Sequence, residues 1–197
     1  MNGKIGSFSR NEERARTLGH DPVIRAGVLK ANDGVYPTGL LLTRNASAEL
    51  VPLAIVTSET IGTGNGTTKN FNAITLAAFP VEPGTVSVSD GVETFVDDVS
   101  GRLAGSAGGS GTINYRSGKM TLSFNANVVN ASPINAGYTT AVNGVLDEET
   151  DTALSGSGLY VAHGTVDSTV LKIGKSNPSA PSNTLLMLLQ AHGIYPV

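Results

Sequence analysis

Three histidines, at positions 20, 163 and 192, are the side chains of this sequence that titrate near neutrality. His163 precedes Asp167 by four residues and Ser168 by five, so base, acid and hydroxyl lie in one stretch, the parts of a hydrolase triad. In an extended strand, however, alternate side chains point to opposite faces, and Gly164 is expected to turn the chain between them. A nucleophile and base aimed at one another are therefore not expected. His192 follows the apolar run Leu185–Leu189, where an imidazolium complements the end of a helix or simply packs against it.

Two glycine-rich stretches, residues 62–69 and 105–111, invite a phosphate-cradle reading. A P-loop needs its lysine and hydroxyl at the opening of a helix, whereas both stretches run into strand-like sequence and read as hairpin loops. Asp90, Asp97 and Asp98 carry hard oxygen donors suited to calcium, but without Asp-x-Asp-x-Asp-Gly spacing they read as ordinary loop acids. Zero cysteines exclude a disulfide framework, a thiolate metal site and a cysteine nucleophile together. The residues thus imply no cofactor, no metal and no enzyme.

The elements that would carry these side chains are β-rich. Of 197 residues only 15% are charged, against about a quarter in ordinary domains, while 24 are glycine. The net charge of −3 supplies no field to hold a polyanion, and tryptophan is absent, so nucleic acid is a poor partner. No apolar run reaches membrane-spanning length, and the N-terminus lacks a signal-peptide core, which leads to the expectation of a soluble compartment and no membrane partner. The Asn-x-Ser/Thr triplets at Asn45, Asn65 and Asn130 then read as loop residues.

Residues 1–22 read as an arm. Lys4, Arg10, Arg14 and Arg16 sit among polar residues, and Ile5, Phe8 and Leu18 are too widely spaced to form an apolar face. Such a segment either frays or orders on a partner. From Val23 short apolar runs alternate with turns, and between 57 and 140 the alternation becomes cleaner. Asp90-Gly91 predicts a type I′ hairpin, and Ser117-Gly118 turns a second one. This middle stretch is expected to be an antiparallel β-sandwich inserted into a discontinuous domain formed by residues 23–56 and 141–197. Residues 147–151 read as an acidic loop, and 159–163 and 166–173 as strands. A C-terminal helix capped by Ser182 or Asn183 and closed by Gly193 is apolar nearly all round. One of its faces should meet its own strands, and the other meets either a second subunit or more of the same chain.

With 57–140 removed, the flanks carry a series of six segments: Val23–Val28, Pro37–Leu41, Leu50–Pro52, Gly144–Glu148, Val161–Val166 and Leu188–Tyr195. In order and spacing this series resembles the lambda-type head decoration proteins of tailed bacteriophages. The middle stretch is similar to a β-rich module of phage structural proteins, through Gly62–Gly66, Pro80–Val88 and Gly111–Tyr115.

The resemblance implies a mainly β fold: a small β-barrel-like or β-tulip decoration domain with one short C-terminal helix, plus the inserted sandwich. It also implies a homotrimer, made in the host cytoplasm, that cements the outside of an expanded capsid in the virion. Its partners would be the major capsid protein and copies of itself. Phe8, Arg10, Arg14, Arg16 and Leu18 are the candidate capsid contacts; Leu185, Leu186, Met187 and Leu189 are the candidate trimer interface. The alternative is a host-adhesion protein acting on a surface ligand through the insert.

Overall fold

Two patterns of apolar residues build two different sheets. Where apolar residues are consecutive, both faces of a strand are covered; where they alternate, only one is. The computed structural model describes residues 13–17 and 19–197. Its strands before the insert are β1 (Val23–Val28), β2 (Val35–Tyr36), β3 (Leu41–Arg44) and β4 (Leu50–Pro52). After it come β13 (Gly144–Leu146), β14 (Thr150–Asp151), β15 (Ser157–Val166), the helix α1 (Asn183–Ala191) and β16 (Ile194–Pro196).

These flanks form one sheet in the order β1-β15-β13-β3-β4, with β16 added parallel to the end of β15. Neighbouring residues along each central strand enter opposite cores. Leu41, Val145 and Val161 face a cluster with Val166, Leu185 and Leu189, whereas Leu42, Leu146 and Tyr160 face one with Tyr36 and Leu40. The small β14–β2 ladder lies apart from this sheet.

The insert contributes β5 (Ile55–Thr63), β6 (Asn70–Thr75), β7 (Ser87–Ser89), β8 (Thr94–Asp97), β9 (Arg102–Gly105), β10 (Ser110–Asn114), β11 (Lys119–Ser123) and β12 (Pro133–Thr139). They form a single path, β5-β12-β7-β8-β9-β10-β11-β6, curled into a nearly closed barrel around Val88, Phe95, Met120, Leu122, Phe124 and Ile134. The sequence led to a sandwich of two sheets; the mainly β class holds, but one continuous ladder replaces the pair. Side chains close the seam between β5 and β6. Glu59 on β5 accepts a bond from Ala77 N just beyond β6 (3.0 Å) and from the Tyr138 hydroxyl (2.5 Å).

The barrel leaves and rejoins its host at adjacent residues. Thr140 N donates to Ala54 O (2.9 Å), and Ala54 N donates to Thr140 Oγ1 (2.9 Å). The ladder itself runs from Ile55 to Thr139, with those two residues paired, so its first rung lies two residues ahead of position 57.

Three local expectations change. Asp90 does not take a positive φ; its carboxylate accepts bonds from Val92 N and Glu93 N, giving a four-residue loop in which only Gly91 is left-handed (φ 90°). Gly164 does not turn the chain. At φ 112° it stays within β15, where a Cβ would lie 2.7 Å from Pro22 Cα. Residues 166–173 are not a strand, because Asp167 caps a 3₁₀ turn over Ser168–Val170.

Candidate functional site

β13 lies between β15 and β3, so the residue that follows it, Asp147, inherits its burial and is 0% exposed. A buried carboxylate must be paired. Its Oδ1 accepts a bond from Arg16 N (3.2 Å), and its Oδ2 faces Arg14 Nη1 (3.2 Å) and Arg16 Nε (3.6 Å). Arg14 Nη1 also reaches Glu148 Oε2 at 2.8 Å. Backbone bonds complete the attachment: Ala15 N to Asp147 O (3.0 Å), Asp167 N to Ala15 O (2.8 Å) and Thr17 N to Thr165 O (3.1 Å). Ala15 is fully buried in the base core.

The arm expected over 1–22 is therefore a strap bound to its own domain at residues 14–17. Arg14 and Arg16, expected to reach a capsid, are engaged by Asp147, because a buried carboxylate binds an arginine more strongly than water does. Phe8, Arg10 and Leu18 lie outside the described residues.

The helix candidates divide by position. Ser182 Oγ accepts from Leu185 N (3.4 Å) at one end, and Gly193 at φ 77° ends the other. Leu185 and Leu189, one turn apart, are buried in the base core, so they are not available to a second subunit. Leu186 is half-buried against the same core, and Met187 is 69% exposed. Of the four, Met187 alone presents a largely free side chain.

The histidine, aspartate and serine of the triad reading do not converge. Asp167 Oδ1 accepts from Thr169 N and Oγ1, and those bonds hold its carboxyl below the usual range. Ser168 donates to Val197 O. His163 instead packs with His20 (ring centroids 5.1 Å apart) and Tyr195 (6.0 Å). His192 Nε2 lies 3.0 Å from Glu82 Oε1 in the insert.

The three loop aspartates are likewise occupied. Asp90 caps its loop, Asp97 accepts from Tyr115 Oη (2.5 Å) and Gly84 N (2.6 Å), and Asp98 accepts from Ser100 and Arg102. Among the described residues no three His, Cys, Asp or Glu side chains converge.

Two further arrangements emerge. At the end of the barrel remote from the base, Glu93 is 3% exposed and ties three loops: Oε1 accepts from Gly109 N (2.7 Å) and Ala107 N (3.2 Å), and Oε2 from Asn125 N (2.8 Å). Val92 (77% exposed) and Val129 (59%) stand beside it. The other arrangement lies at the junction, where Asp33 binds Lys175 Nζ (2.6 Å) and Lys30 Nζ (3.4 Å) and accepts from the Tyr36 hydroxyl (2.7 Å). Burial opposes its charge, but the bonds from Lys175 and Tyr36 outweigh burial and hold the carboxyl below the usual range. Tyr36 is pushed far upward, by burial first and then by Asp33.

Asp147, Glu93 and Glu82 are the residues that sequence reasoning missed. Each carries a charge into a buried position, and the partners of Asp147 stand 131 or more residues away, beyond any local pattern. A signal for Asp147 does exist: it directly follows Val145-Leu146, a run apolar on both faces.

Comparison of the chain with protein-family models, with curated proteins and with solved structures found no match in any of the three.

Proposed function

We propose that this chain is a non-enzymatic decoration protein that binds the outer surface of an expanded phage capsid as a homotrimer and stabilises it. One observation carries the reading. Each of the six sequence segments that resemble lambda-type decoration proteins touches a different strand of the base sheet: three lie on β1, β4 and β15, Gly144–Glu148 opens on β13, Pro37–Leu41 leads into β3 at Leu41, and Leu188–Tyr195 runs from α1 into β16. A resemblance scattered over the flanks of the chain thus collects into one folding unit, with the inserted barrel mounted on it through Ala54 and Thr140.

In this reading the base is the attachment unit and the barrel projects from it. Repeated attachment around a shell gives avidity without a strong individual site. Met187 supplies the exposed apolar contact for trimerisation, and the N-terminal region beyond the strap meets the major capsid protein.

The experiment is sedimentation of the protein with expanded, undecorated capsids of the cognate phage, alongside light scattering of the free protein. Cosedimentation, a raised capsid melting temperature and a solution mass of three times 20.2 kDa are expected. Retained capsid stabilisation after residues 57–140 are replaced by a short linker separates cementing from adhesion. If the insert alone binds cells and the base adds nothing to capsids, the adhesion reading replaces this one.

A further inference from the structure

The junction between base and barrel forms an open cleft of about 420 Å³. Its base wall carries Lys30, Arg44 and Lys175 with Asp33; its barrel wall carries Phe79; its floor includes Pro52. Three cations and one carboxylate line it, with Glu49 held behind the lining residue Asn45, which leaves a local surplus of positive charge in a chain whose net charge is −3. The two lysines share Asp33. Among the described residues Arg44 is held by neutral oxygens, those of Asn143, Ala48 and Tyr160, which fix the guanidinium without neutralising it.

A second observation singles out this cleft. Thr43 is 2% exposed, lines the cleft, and among the described residues its Oγ1 has no hydrogen-bond partner. With no existing bond to give up, that hydroxyl is free to turn toward a hydrogen-bonding occupant of the cleft.

We propose that this cleft binds an anionic saccharide, a pyranose bearing a carboxylate. The chemistry of the walls selects that class. A carboxylate answers the uncompensated charge of Arg44 and the lysines. A ring with an apolar C–H face covers Pro52 and Phe79, which a bare inorganic anion leaves exposed to water. Ring hydroxyls supply donors and acceptors to Asn45 and Ser47 on the rim, and to the Thr43 hydroxyl once it turns toward the cleft. A lipid chain would need an enclosed apolar channel, and this cleft is open and polar-rimmed. The inference is independent of the capsid reading, since it uses only groups at the junction.

The test is an NMR titration of the uniformly ¹⁵N-labelled full chain with a glucuronate-containing disaccharide, its neutral glucose counterpart and sodium sulfate. Saturable shifts at Arg44–Ser47, Ala77–Phe79 and Lys175 are expected for the glucuronate ligand, with a Kd on the order of 1 mM. The neutral sugar and sulfate should each bind about tenfold more weakly. Lys30→Gln, at a half-exposed side chain, should weaken binding by a similar factor; Ala46→Trp, at an exposed position on the rim, should block the cleft. Thermal melts of both variants check that they fold. Absence of saturable shifts overturns the proposal, as does equal binding of neutral sugar or sulfate, or undiminished binding in a folded Ala46→Trp variant. Loss of capsid binding without loss of the titration would strike the decoration reading alone.

Discussion

His192 Nε2 bridges both carboxylate oxygens of Glu82, at 3.0 and 3.1 Å, and so joins the end of the C-terminal helix to the inserted barrel 110 residues earlier in the chain. Glu82 is nearly buried and His192 is 38% exposed. The pair fixes orientation more than stability: solvent screens the histidine, so Glu82→Gln should cost at most about 1 kcal/mol. The expected change is instead in tumbling. ¹⁵N relaxation should show barrel and base reorienting as one body in the parent and more independently in the variant; unchanged relaxation would assign the barrel's placement to the neck alone.

The strap gives a sharper stability test. Deleting residues up to 17 removes Ala15 from the core and leaves Asp147 buried without Arg14 or Arg16. An uncompensated buried charge costs up to about 3–5 kcal/mol, a figure reduced here by the exposure of Arg16. Urea unfolding should show this loss against a control truncated before Glu13. Equal midpoints would mean that the strap is dispensable to the fold.

Glu93 should act as the staple of the distal loops. Glu93→Gln keeps the size but replaces one of two accepting oxygens by an NH2 group that faces a backbone N–H, a loss of about 1–3 kcal/mol. Hydrogen exchange should accelerate at Ala107, Gly109 and Asn125 and stay unchanged in the base. Gly109→Ala should do worse, since its Cβ would lie 2.6 Å from Glu93 Oε1 and 2.7 Å from Ser123 O.

Alkaline pH should open the barrel seam. Burial, reinforced by the bond to Glu59, pushes the Tyr138 hydroxyl from 10.0 to about 12. A raised folded-state value means that its contribution is complete below pH 10 and is lost as pH rises from there through about 12. Tyr138→Phe removes that dependence at the cost of the bond to Glu59. Stability of the variant plotted against pH should be flatter than the parent's over this window; parallel curves would exclude Tyr138 as the group that senses it.

Substitutions on the helix separate folding from assembly. Leu189→Ala should destabilise the base by about 2–5 kcal/mol through its buried cavity. Met187→Lys, at a 69% exposed side chain, should shift stability by less than about 0.5 kcal/mol while lowering the mass seen by light scattering. A trimer that survives Met187→Lys places its interface elsewhere.

The sequence shows strands well where periodicity reports burial directly. Ile113 against Thr112, and Met120, Leu122 and Phe124 against Thr121 and Ser123, face in and out as their alternation predicts. The helix is legible in position but not in facing. A run of five apolar residues hides that Leu185 and Leu189 point inward while Met187 points outward, because a uniform run carries no moment to read. The Asp90-Gly91 turn misleads because a carboxylate that caps two N–H groups stabilises a longer loop than the dipeptide suggests. Asp147 is least legible: an acid beside Glu148 and Glu149 reads as solvated, and its place directly after Val145-Leu146 is a faint local signal beside its distant arginine partners.

The neck of the barrel sets how the molecule bears a load. A pull on the distal loops passes down β5 and β12 side by side and enters the base through Ala54 and Thr140. On one side it reaches β13, held between two neighbours; on the other it reaches β4, a three-residue strand at the sheet's margin, paired to β3 and bridged once to Leu29. Where a pull runs across the ladder, bonds at a margin peel in sequence rather than resisting together, so Leu50–Pro52 is the expected mechanical fuse of the chain. Under such tension the base is expected to yield there first, with the barrel still tethered through β13 as the margin comes away.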